Sequence, residues 1–390
     1  MNTKKIIIVI SIILFYHTFI SAQSNQEFVN NLYSDDFLLK FSSILVIEKD
    51  SIIEALPVLN ELIESQPPLM QKEFLSAMAA LGDPNLYEDV LAFMQRSSNF
   101  DQGEYPLDSI DANVFGTSLL FSMNDFSTYH YIFASLKQTA ESVNITAFNM
   151  LKYIIDFVPE KEDSAKQFLI DFWDNSTDDY YRSSAMRDLV ERYGLEFTDR
   201  LIYTFENDSM PLKISAFEFL SSLKYSGLQQ LLRSRLPIEE SWSFRATISD
   251  TLLKKYGLPT DLKIVKDYQP TEPNSTARSY MNHSLKKFIP PKPDSTVTAL
   301  VMTDTLISYN NQLYNYQWIT SDSLHSNYST RLQTIRDYIA NSNYTSAQTE
   351  IDDMQTSVEE NYNSPSPLLT TEGWKFLHYY LEYIGERINN

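Results

Sequence analysis

Five histidines stand in the chain, His17, His130, His283, His325 and His378, and no two lie within a few residues of each other. That spacing excludes an HExxH motif or any comparable zinc pattern. There is no Gly-x-Ser-x-Gly elbow, and with no cysteine there is no thiolate nucleophile, cysteine-ligated zinc or disulfide. A Ser-His-Asp triad would have to come from distant loops, and no spacing supports one. Asp174-Asn-Ser176-Thr-Asp178-Asp179 sets oxygen side chains at alternate positions, as a calcium loop does. Its sixth position is Asp179 rather than the turn glycine, and its twelfth is Ala185 rather than a bidentate glutamate. The expectation is an ordinary inter-helix loop, with Asp178 or Asp179 capping the next helix. Asp352-Asp353 and Glu359-Glu360 pair carboxylates as acid catalysts would. They fall on a helix with no reason in the sequence to be desolvated, so they read as charge on a solvated face. No catalytic residue, metal ligand or cofactor site is expected.

The surplus lies in the aromatics, with 25 tyrosines and 23 phenylalanines. In the last helical stretch Trp374, Leu377, Leu381 and Ile384 share one stripe. Phe376, Tyr380 and Tyr383 then form a second face at i, i+4, i+7. Rings with polar tips suit a stacking platform for a glycan or a peptide. The more ordinary alternative is a helix packed on two sides. Tyr180-Tyr181 and Trp242 invite the same two readings. The candidate surface-binding aromatics are therefore Tyr180, Tyr181, Trp242, Phe376, Tyr380 and Tyr383.

The elements that must position these residues follow from composition and period. The chain has 390 residues, a net charge of −20, 43% hydrophobic residues and only 8 glycines. That hydrophobic fraction supports a large core. Few glycines argue against phosphate-cradling Rossmann and P-loop turns, and the acidic excess argues against nucleic acid as a partner. Lys4 and Lys5, the apolar run Ile6–Phe15 and the small residues before Gln23 fit a signal peptide over 1–22, cleaved near Ala22. A periplasmic or secreted chain without a stable membrane anchor is expected.

Helical periodicity dominates from residue 26 to about 268. Ile52, Ala55, Leu56, Leu59, Leu62 and Ile63 lie on one face, with Ser51 as N-cap, Glu54 as its capping-box partner and Pro57 as a bend. A second helix over about Leu69–Leu81 should end at Gly82, and Asp83-Pro84 should open the next, through about Met94. Ala55-Leu56-Pro57-Val58-Leu59 followed by Ala79-Ala80-Leu81-Gly82-Asp83-Pro84 resembles a HEAT repeat. Weaker echoes run from Ala185 to Gly194, from Ala216 to Gly227 and from Ala246 to Gly257. The resemblance implies an all-α fold, an α-solenoid of HEAT-like helix pairs over 23–268. Its glycines would serve as left-handed helix ends. The region 98–143 does not phase with this pattern; Asp101–Pro106 reads as a loop, and Val114–Met123 is apolar.

Residues 269–296 are rich in proline, and Pro290-Pro-Lys-Pro293 should be extended, so the stretch reads as a solvated linker. Four helices are then legible, near Leu300–Trp318, Ser329–Asn341, Thr345–Glu360 and Thr371–Ile388. The run Leu332, Ile335, Tyr338-Ile339, Asn341, Asn343-Tyr344 and Ala347, with Leu369-Thr370, resembles the FIMAH domain, a small helical module of exported bacterial proteins, over 297–390. A solenoid with a helical appendage implies an exported, non-enzymatic scaffold that binds a protein partner, with a glycan as the second candidate. The alternative is an exported hydrolase or lyase using carboxylates and tyrosines in a solenoid cleft.

Overall fold

The computed structural model describes residues 24–100, 107–137 and 145–389. The signal peptide expected at 1–22 and the loop expected at Asp101–Pro106 lie outside them. The described residues are all-α, with one isolated antiparallel bridge, Ile319 to Leu369, and no strand. Among them no helix is long and apolar enough to cross a membrane. Contacts divide the chain into two compact units that meet in sequence between Arg192 and Tyr193.

The first unit holds α1 (Asn25–Asn31), α2 (Phe37–Asp50), α3 (Leu56–Leu62), α4 (Pro68–Leu81), α5 (Leu86–Arg96), α6 (Ser109–Ser122), α7 (His130–Lys137), α8 (Ile145–Phe157), α9 (Glu162–Asn175) and most of α10 (Asp179–Tyr193). Asp36 opens α2 by accepting the N–H groups of Leu38 and Leu39 at 2.9 and 3.2 Å. Ser51 is not the N-cap that the spacing suggested. It ends α2 in a left-handed conformation, φ 52°. Pro57 does not bend a helix either. A 3-10 turn at Ile53–Ala55 precedes it, and it sits in the first turn of α3, where its missing N–H is no loss. The apolar stripe survives this break, since Ile52, Ala55, Leu59 and Ile63 are all buried. Gly82 ends α4 at φ 74°, with the Asp83 N–H reaching back to Met78 O at 3.0 Å. Of the unphased region 98–143, the described stretch 107–137 forms α6 and α7. Gly116 on α6 lets Met94 of α5 approach so closely that a Cβ would overlap its side chain.

The second unit holds α11 (Thr198–Asn207), α12 (Met210–Ser222), α13 (Leu228–Arg235), α14 (Trp242–Thr251), α15 (Pro259–Tyr268), α16 (Ser275–Lys287), α17 (Ala299–Asn315), α18 (Asp322–Ala340), α19 (Tyr344–Asn363) and α20 (Thr371–Asn389). Gly194 and Gly257 are left-handed, φ 55° and 56°, as expected of helix ends. Gly227 is not, with φ −81° at the start of α13, while Lys224 takes the left-handed position instead, φ 53°.

The stretch read as a solvated linker is built into this unit. Asn274 caps α16 through the N–H groups of Thr276 and Ala277. Phe288 and Pro290 are buried. Tyr383 donates to Pro290 O at 2.9 Å, and Arg387 donates to Val297 O at 2.7 Å and Asp294 O at 3.2 Å. Pro291 lies directly against Gly257, whose missing side chain makes the room. In α17–α20 each helix packs on the next, and α20 packs back on α17. Thr260 Oγ1 meets Tyr316 OH at 3.0 Å, and Lys375 donates to Lys286 O at 3.1 Å, so α15 and α16 bear on this bundle.

Candidate binding surfaces

Two of the six aromatics proposed from the sequence are not on the surface. Phe376 is 0% exposed and Tyr380 7%. Phe376 packs among Phe288, Tyr309 and Trp318, and Tyr380 stands edge-on to Tyr309 with ring centroids 5.0 Å apart. The hydroxyls of Tyr309 and Tyr380 lie 3.3 Å apart, and burial pushes both above the ordinary phenol value, Tyr309 the further. α20 is therefore a helix packed on two sides, and its second aromatic face is core. Tyr383 borders that core. Burial, with Glu382 adding to it, pushes its hydroxyl up to about 12, and Lys292 sits over its ring at 5.7 Å. Tyr181 is half-buried against Phe148 and Phe172. Tyr180, 53% exposed, and Trp242, 42% exposed, are the two of the six that face solvent freely.

The buried carboxylates are structural. Arg245 grips Glu272 with two bonds of 2.6 Å, and its remaining nitrogen donates to Glu239 O and Glu240 O at 2.8 and 2.7 Å. The Arg245 bond, followed by the Asn274 N–H, holds the Glu272 carboxyl below its ordinary range against the cost of burial. For Glu239, burial pushes upward, but the Ser241 N–H, Arg235 and Lys213 outweigh it and the net shift is downward. Asp261, fully buried, accepts from Gln229 and Arg233 at 2.7 Å each and from the Leu258 N–H at 3.0 Å. These pairs tie α13, α14, α15 and the entry to α16 into one framework. Between α9 and α10, Asp178 Oδ1 accepts the Tyr180 N–H at 2.8 Å, so the calcium-like loop is a helix cap. Among the described residues no three His, Asp or Glu side chains are disposed to hold a metal ion.

Two aromatic assemblies escaped the sequence reading. In the second unit Trp374 stacks with Tyr362, centroids 5.1 Å apart, and with His378, 4.8 Å apart. Trp374 Nε1 donates to Glu359 at 2.7 Å. His378 Nδ1 lies 2.8 Å from the same carboxylate, off the line of a good hydrogen bond. Glu359, expected as mere solvated charge, thus anchors the stack. In the first unit α7 and α9 border a groove of about 440 Å³. Its floor is Phe133 and Phe168, nearly parallel at 18° with centroids 5.3 Å apart. Its rim is Asp163, Ser164, Gln167 and Asp171 from α9 and Lys137 from α7. The signal for it was legible in α9, where positions 163, 167 and 171 and positions 164 and 168 repeat at i, i+4. The partner Phe133 lies 35 positions away from Phe168, beyond the reach of any local period. No protein-family model matches the chain, and no curated protein matches it.

Proposed function

We propose that the chain is a non-catalytic binding protein, exported by the leader expected at its N-terminus, that engages a protein partner through aromatic-floored helical surfaces. The groove between α7 and α9 carries this reading. A stacked, half-buried pair of phenyl rings lies beneath a polar rim, an arrangement that suits adhesion to an extended ligand. The buried acidic groups support it from the other side, because Glu239, Asp261 and Glu272 are held by arginines and backbone N–H groups that fix the framework. The HEAT-like character of 23–268 and the FIMAH-like character of 297–390 belong to the same proposal. Helix pairs closed by left-handed Gly82, Gly194 and Gly257, and the α17–α20 bundle, are in keeping with them.

The test is affinity capture from cell envelope with the mature chain and with a Phe133→Ala/Phe168→Ala variant whose helicity is checked by circular dichroism. The expected outcome is a partner held by the wild type and lost by the variant. Steady turnover of a model glycan or ester, with no partner recovered, would instead favour the hydrolase reading.

A further inference from the structure

We infer that the groove between α7 and α9 receives an extended basic peptide segment with two arginines four residues apart. The inference rests on the binding function proposed above and adds the chemistry of the partner. Asp163, Gln167 and Asp171 are exposed and succeed one another on α9 at four-residue intervals. Each step is about 6 Å along the helix, so the two carboxylates are roughly 12 Å apart. An extended peptide presents same-face side chains every 6.6–6.8 Å or so, and the first and fifth about 13 Å apart. Two arginines in those positions reach the two carboxylates, and the side chain between them lies over Gln167. Gln167 Nε2 donates to Asp171 Oδ1 at 2.9 Å, which fixes the middle of the rim.

Asp163 and Asp171 enter no salt bridge among the described residues. The floor is the second half of the recognition. Guanidinium groups and their methylene stems pack on aromatic rings, and Phe133 and Phe168, stacked on each other and half-buried, give the groove one aromatic floor. Lysine, a compact and strongly hydrated charge, gains less from this floor. The net charge of −20 draws cationic segments toward the chain at long range. Among the described residues Lys137 is the one cation of the lining, and it works against the ligand.

The opposed signs at the rim give the test. The full chain is titrated, by fluorescence anisotropy, against a capped peptide with two arginines separated by Ser-Ala-Ser. A peptide with the arginines adjacent and one with glutamates in their place serve as comparisons. The spaced arginine peptide should bind best and weaken with salt. Asp163→Asn and Asp171→Asn should each weaken it roughly two- to fivefold, Phe168→Leu should weaken it further, and Lys137→Gln should tighten it about twofold. Absence of binding, equal binding of the glutamate peptide, or indifference to both aspartate substitutions would overturn the inference. Binding of a neutral oligosaccharide that Phe168→Leu abolishes and the charge variants leave unchanged would assign the groove to a glycan. An envelope partner retained by the Asp163→Asn/Asp171→Asn double variant would also reject the basic peptide. The first result would leave a binding role but turn it from protein to glycan, and the second would leave the protein-binding function standing.

Discussion

Gly257→Ala should be among the most damaging small substitutions in the second unit, and the structure says why in two separable parts. Gly257 is left-handed, φ 56°, and an L-residue there costs about 1–2 kcal/mol. Its absent side chain is also filled by Pro291. A Cβ would overlap Pro291 Cδ and lie 2.7 Å from Pro291 Cγ and 2.9 Å from Leu253 O. Backbone on one side and a rigid ring on the other leave little give, so overpacking adds about 1–3 kcal/mol. Gly194 supplies the internal control. It lies in the same unit at φ 55°, and its Cβ would meet only Leu223 Cδ2 at 3.9 Å, an ordinary contact. Gly194→Ala should therefore show the strain alone. Urea unfolding followed by far-ultraviolet circular dichroism should place Gly257→Ala about 1–3 kcal/mol below Gly194→Ala. Pro291→Ala removes Cγ and Cδ, so it should recover much of that difference in the double variant. Equal losses for the two glycine variants, with no coupling to Pro291, would refute the account of the Pro-rich stretch as packed on Gly257.

Arg245→Ala leaves Glu272 buried and unpaired and should cost about 3–5 kcal/mol in chemical unfolding; a loss below about 1 kcal/mol would deny the pair its burial. Glu239 and Glu272 both have carboxyls held below their ordinary value of 4.5. Their contribution is therefore complete above that value and drains away as pH falls through the lower native value. The thermal midpoint should hold from neutrality to about pH 5 and then fall, with no comparable loss from these groups toward alkaline pH. Phe376→Ala should cost about 3–5 kcal/mol, whereas Tyr180→Ala should stay within about 0.5 kcal/mol; thermal unfolding of both checks which aromatics are core.

What could be read from the sequence was what repeats within one helix. Four C-terminal helices stand where the apolar period called for them, although α18 begins at Asp322, about two turns before the expected Ser329, and Gly82, Gly194 and Gly257 end helices as left-handed residues. Ser51 and Gly227 were misread because each residue type suits both ends of a helix. Serine can cap a start or end a turn, and once Lys224 had taken the left-handed position Gly227 was free to begin α13. Phe376 and Tyr380 were ambiguous for a different reason. A period identifies a second apolar face but not what lies against it, and here Phe288, Tyr309 and Trp318 do. The assemblies that matter most join separate helices. Arg245 and Glu272 are 27 positions apart, and Gln229 and Asp261 are 32. Glu359 reaches Trp374 and His378 across two helices. Such pairs are set by the meeting of elements, which no local spacing records.

Tyr383 and Arg387 reach back between 90 and 94 positions to take the carbonyls of Pro290 through Val297. The helix hairpins between those points close over short loops and form early, while this closure waits until α20 has found its place. The Pro-rich stretch is thus among the last parts of the unit to be sheltered as it folds. A protease that cuts there during refolding, and then ceases to, is timing the arrival of α20.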